Sequence, residues 1–76
     1  MILFENEDPR VSIYYLSSIM INILNEYKEL KFDVLYKLLE DSIGYTVSID
    51  DVYYSLDWLY LLDLVDVSGD KVILCL

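Results

Sequence analysis

The residues of this chain that could do chemistry are nearly all carboxylates. Its 76 residues hold fourteen Asp and Glu against five Lys and Arg, with one cysteine and no histidine, for a formal charge of −9. Asp50 and Asp51 are adjacent acids, the residue types of a general acid/base pair. Asp63, Asp66 and Asp70 are a series of oxygen donors, and Cys75 is a thiol. None of the three has the spacing its chemistry needs. Adjacent helix positions point about 100° apart, and both members of the Asp50–Asp51 pair suit the first turn of a helix, where the helix dipole favours negative charge. A calcium loop of the EF-hand kind needs D-x-D-x-D-G and a closing glutamate, a pattern the aspartate series does not follow. Those three acids read as solvated groups around a hairpin. Cys75 has no Lys, Arg or His beside it to lower its pKa, and it reads as a small buried hydrophobe in a strand.

The composition excludes further classes. Zinc sites draw roughly three or four ligands largely from Cys and His. Ser-His-Asp and Cys-His catalysis lack their base, and a lone cysteine cannot close an internal disulfide. The expectation is a protein that is not an enzyme, with no catalytic residues, no cofactor and no metal. Direct nucleic-acid binding is disfavoured, because Arg10, Lys28, Lys31, Lys37 and Lys71 are scattered among the acids and phosphate affinity rests on gathered cations. Met1–Phe4 is apolar, but Glu5, Glu7 and Asp8 follow at once, unlike the basic start of a signal peptide. Ile13–Leu24 is interrupted by Ser17, Ser18 and Asn22, short of the roughly 18 apolar residues of a membrane span. A cytoplasmic protein with no membrane contact is expected.

Apolar residues make up 57% of the chain, with eight Tyr, two Phe, one Trp and no alanine. Such a composition does not describe a disordered acidic tail. The length fits one domain, residues 1–76. A domain this small buries only about 60% of its unfolded surface, so the supply of large apolar side chains exceeds what one core can hide. Exposed apolar patches mark binding surfaces.

The elements that must carry these groups follow from periodicity. Met1–Phe4 reads as a short strand and Glu5–Pro9 as a polar turn. Helix 1 is expected from Arg10 to about Glu26, with Ile13, Leu16, Ile19, Met20, Ile23, Leu24 and Tyr27 on a core face. Tyr14 and Ile21 lie nearly opposite, beside Ser17 and Ser18. Helix 2 is expected from Asp33, as N-cap or first-turn acid, to about Ser42, with Leu35, Tyr36, Leu39 and Ile43 inward and Gly44 as its stop. Helix 3 opens at Ser48, with Asp51 completing a capping-box pattern, and runs to about Asp63. Its core stripe is Ile49, Val52, Tyr53, Leu56, Leu59 and Tyr60. Leu64–Val67 and Val72–Leu76 flank Ser68-Gly69-Asp70-Lys71 and read as a β-hairpin. The order strand, helix, helix, helix, hairpin is that of an α+β winged helix: a three-helix helix-turn-helix core closed by a small hairpin wing. The N-terminal strand is expected to pair with the hairpin as a third strand.

In DNA-reading members of that fold the outer face of helix 3 enters the major groove. Here that face carries Asp50, Asp51, Tyr54, Asp57, Trp58 and Leu61, with no cation. Tyr54, Trp58 and Leu61 fall at i, i+4 and i+7 as a second apolar stripe. One reading packs Trp58 and its neighbours under the hairpin or helix 1. The other makes the stripe a protein interface rimmed by Asp57, since Tyr and Trp are enriched at interface hot spots. Tyr14 and Ile21 form a second candidate patch.

The run from Val11 to Leu24, VSIYYLSSIMINIL, resembles the first helix of the short middle components of ABC-three-component systems, of the middle component 6 type. So does Ser48 to Val65, SIDDVYYSLDWLYLLDLV, in which Asp57-Trp58-Leu59-Tyr60-Leu61-Leu62 leads directly into a hairpin. The chain length matches as well. The resemblance implies a bacterial conflict or anti-phage defence system of three gene products: an ABC-type, SMC- or Rad50-like ATPase, an effector such as a nuclease, and this small subunit as a non-enzymatic adaptor. It supplies no catalytic motif to carry over. Alternatives from other classes are a winged-helix transcriptional regulator, which would need a dimer gathering Lys28, Lys31 and Lys37 into one patch, a small acidic DNA mimic or inhibitor, and a plain homodimer.

Overall fold

The computed structural model describes residues 9–75, with side chains from residue 12 onward. The elements run α1 (Pro9–Tyr27), β1 (Glu29–Lys31), α2 (Phe32–Ile43), α3 (Ile49–Leu61), β2 (Val65–Ser68) and β3 (Lys71–Leu74). The strands form one antiparallel sheet in the order β1-β3-β2. This α+β arrangement is compatible with the winged-helix expectation, and it includes a strand that the sequence reading did not assign. The third strand is Glu29–Lys31, between α1 and α2, with Leu30 opposite Val72 and Lys31 opposite Lys71. The strand expected at Met1–Phe4 lies outside the described residues.

The core is built where the 3.6-residue period puts it. Leu16, Met20 and Leu24 of α1 meet Leu35 and Leu39 of α2 and Val52, Leu56 and Leu59 of α3, and Val65 and Val72 of the hairpin close the cluster. Each fully buried Leu, Met or Val withdraws apolar area worth about 1.5–3 kcal/mol. Four residues expected on core faces are exposed instead: Tyr27, Ile49, Tyr53 and Tyr60. Tyr27 and Ile49 sit at helix ends, where the inward stripe runs out. Tyr53 and Tyr60 flank the buried Leu56 but lie toward the wing, and a small core has no depth left for their rings.

Two serines take core positions that the sequence reading assigned to an outer face or passed over. Ser17 and Ser55 are buried where α1 crosses α3. Each hydroxyl donates back to its own helix, Ser17 Oγ to the Ile13 carbonyl at 2.7 Å and Ser55 Oγ to the Asp51 carbonyl at 2.8 Å. Each also reaches across, Ser17 Oγ to the Ser55 carbonyl at 3.4 Å and Ser55 Oγ to the Ile13 carbonyl at 3.3 Å. Small side chains let the two backbones approach, and the hydroxyls keep their polarity satisfied while buried.

The turn between α2 and α3 is held through Val47. Its N–H donates to Glu40 Oε2 at 2.9 Å, and its carbonyl accepts the Tyr36 hydroxyl. Gly44 ends α2 at φ 93°, its N–H donating to the Glu40 carbonyl at 2.8 Å. Ser48 is the N-cap of α3, as expected, but its side chain makes no capping hydrogen bond. The capping box is therefore not formed. Asp50 and Asp51 in the first turn supply charge–dipole stabilisation in its place. The hairpin turn is tighter than expected, since Ser68 pairs with Lys71 and only Gly69 and Asp70 lie between. Cys75 is exposed, contrary to its expected burial. β3 ends at Leu74, so the thiol stands one residue beyond the ladder.

Candidate functional site

Helices α1 and α3 bring two separate sequence patches together. The Tyr14 and Trp58 rings meet with centroids 5.2 Å apart, tilted by 46°. Around that contact runs an open groove lined by Tyr14, Ile21, Trp58, Leu59, Leu62 and Leu64, with Ser17, Ser18 and Asn22 as its polar members. Trp58 is packed by helix 1, as one reading of the sequence had it, and yet it remains 36% exposed. The ring contact orders the indole without removing it from solvent.

The other expected site residues lie apart from this groove. Tyr54 is 57% exposed and Leu61 75%. Leu61 faces the hairpin end of α3, beside Tyr60, Asp63 and Cys75. Asp57 lines the hollow between α3 and the wing tip. The i, i+4, i+7 stripe is thus divided by the helix surface, with Trp58 turned to α1 and Leu61 to the sheet. Sequence reasoning passed over Leu62 and Leu64. The signal was present in the apolar run Leu59–Leu62 and in Leu64 beyond Asp63, but Leu62 falls on neither of the two stripes drawn on the expected helix, and Leu64 reads as the first residue of the hairpin.

The groove lining holds no Asp, Glu, Lys, Arg, His or Cys. Among the described residues no group of three or more His, Cys, Asp or Glu side chains is arranged to hold a metal ion. Among the described residues one group has a displaced pKa, and its cause is structural. Desolvation, and then the Glu40 carboxylate nearby, push the Tyr36 phenol above its ordinary value of 10.0, and its hydroxyl donates to the Val47 carbonyl. Among the described residues no helix is long and apolar enough to cross a membrane.

These features define a small α+β domain whose described residues form three helices and three strands, with an open, largely apolar groove between two of the helices. The family model of the ABC-three component (ABC-3C) system Middle Component 6 matches residues 2–75. The chain belongs to that family and is a component of a multi-protein system, as its sequence resemblance implied. No curated protein and no solved structure matches it.

Proposed function

We propose that this chain is a non-enzymatic adaptor of its three-component system, serving anti-phage defence by docking on the system's ABC-type ATPase through the α1/α3 groove. The observation that carries the reading is the Tyr14–Trp58 ring contact. It joins two apolar patches on different helices into one ordered surface. An aromatic anchor already held in place loses little freedom on binding, which is the economy interface hot spots exploit. Membership in a middle-component family supports protein partners for that surface.

Co-expression of the tagged chain with the ATPase and effector of its own system tests the proposal. Trp58→Ala combined with Ile21→Asp is expected to abolish recovery of the ATPase, while Lys37→Ala on the exposed face of α2 leaves it unchanged. Full ATPase recovery by the groove variant, with its circular dichroism unaltered, would show the groove is not the interface. Loss of the effector alone would reassign the groove to that subunit.

A further inference from the structure

A second surface, on the opposite side of α3 from Trp58, has different chemistry. Three hollows adjoin along the seam between α3 and the wing. The first lies between the start of α2, α3 and the wing tip, with Asp33, Asp57 and Asp70 around Phe32 and Tyr53. The next shares Leu56, Asp57 and Val67 with it and adds Tyr60 and Asp66. The last shares Tyr60 and Asp66 and adds Leu61 and Asp63. Five aspartates thus line the three adjoining hollows, and no Lys or Arg lines any of them. Among the described residues the ion pairs are Lys37–Asp41 and Lys71–Glu29, so none of the five is neutralised.

Between the acids lie aromatic faces. Phe32 and Tyr53 stack with centroids 5.1 Å apart and planes 12° from parallel, and Tyr60 stands about two turns further along α3. Flat π faces beside unpaired carboxylates are the surroundings in which a guanidinium or ammonium group is held, by stacking and by charge. The run from Tyr53 to Leu61 is about 12 Å long at helical rise, the length of three or four extended residues at about 3.3 Å each. The sheet edge itself is blunted, since Asp66 Oδ1 accepts the Val67 N–H at 2.8 Å. That N–H is therefore not free to pair with an added strand.

We infer that the α3–wing seam, through Asp33, Asp57, Asp66 and Asp70 with Tyr53 and Tyr60, binds an extended Arg- or Lys-bearing segment of a protein partner. Charge complementarity selects that occupant, because an anionic or nucleic-acid ligand would meet five carboxylates. The site is independent of the α1/α3 groove, and either stands if the other fails.

A fluorescently labelled peptide of alternating Arg and Leu, titrated by anisotropy, tests the inference. Two double variants of equal charge are compared. Asp57→Asn with Asp66→Asn, which keeps an acceptor for the Val67 N–H, is expected to weaken binding about tenfold, from the loss of two ion pairs. Glu26→Gln with Asp41→Asn, away from the seam, is expected to change it by less than about twofold. Tyr60→Leu weakens binding and Tyr60→Phe does not, because the π face and not the hydroxyl makes the contact. Equal weakening by both charge variants would show attraction to overall charge and overturn the inference. So would competition by spermine at equal charge concentration as effective as by unlabelled peptide, which would make the seam a polyamine site.

Discussion

At the scale of single residues, the least expected side chains are the two serines at the α1/α3 crossing. A pattern of large apolar residues marks a core, and a hydroxyl in it reads as an interruption. Ser17 and Ser55 were therefore illegible as core, although Leu16, Met20, Val52, Leu56 and Leu59 around them were plain from periodicity. Their size sets the helix separation, which leads to a contrast. Ser55→Ala keeps the close approach and removes a hydroxyl whose two acceptor carbonyls belong to helices, so it is expected to change stability by less than about 1 kcal/mol. Ser55→Leu overfills a fully buried position and is expected to cost at least about 1–3 kcal/mol. Urea unfolding of both variants measures the difference. Tyr36 offers a second test, this one in pH. Its phenol pKa is raised above 10.0 on folding, so its stabilising contribution is complete below that unfolded value and is lost as pH rises through the higher folded one. Tyr36→Phe is therefore expected to melt below the wild type at pH 8, with the gap closing as pH passes the raised value.

At the scale of elements, the helices were legible to within a residue or two and the short strand was not. α1, α2 and α3 carry their own periodic signal and stops such as Gly44. Glu29-Leu30-Lys31 carries none, being three residues with charges at both ends. It is a strand because β3 pairs with it, a long-range cause that local propensity does not record. The end of α3 shows how the chain turns into the wing. Asp63 has φ 62°, its N–H donates to the Tyr60 carbonyl at 3.0 Å, and the Leu64 N–H reaches back to the Leu59 carbonyl at 3.0 Å. This is a Schellman closure with aspartate in the left-handed position that glycine usually holds. Asp63→Gly removes the left-handed penalty and is expected to stabilise by about 1 kcal/mol, or roughly 4–8 °C in melting midpoint for a domain of this length. The opposite sign is expected in the α2–α3 turn. Glu40→Ala leaves the N–H of buried Val47 without its acceptor and is expected to cost about 1–3 kcal/mol, whereas Glu40→Gln keeps an acceptor and most of the stability.

At the scale of the whole molecule, the two bulk numbers now have places. Much of the apolar surplus surfaces in the α1/α3 groove and along the α3–wing seam, and five acids concentrate on that seam. The sequence showed that both excesses existed, with the apolar surplus on helices 1 and 3 and the acids on helix 3 and around the hairpin. It did not show that the helix divides them, because the division depends on which neighbour, α1 or β2, packs against each side. The charge leads to a prediction about the outer face of α3, the position that DNA-reading winged helices press into the major groove. Here that surface presents Asp50, Asp51, Tyr54 and Asp57, and among the described residues Lys37 is engaged with Asp41 at 3.7 Å and Lys71 with Glu29 at 3.4 Å. Duplex affinity grows with the number of phosphates neutralised, each adding about 0.9 to the slope of log affinity against log salt. A face with no free cation has no such slope. The isolated chain at micromolar concentration is therefore expected to leave the mobility of duplex DNA unchanged even in low salt. Asp50→Lys with Asp57→Lys moves the formal charge by four units on that face and is expected to produce weak retention that salt abolishes. Salt-sensitive retention by the unaltered chain would return the fold to its DNA-reading use and make the acids of α3 incidental.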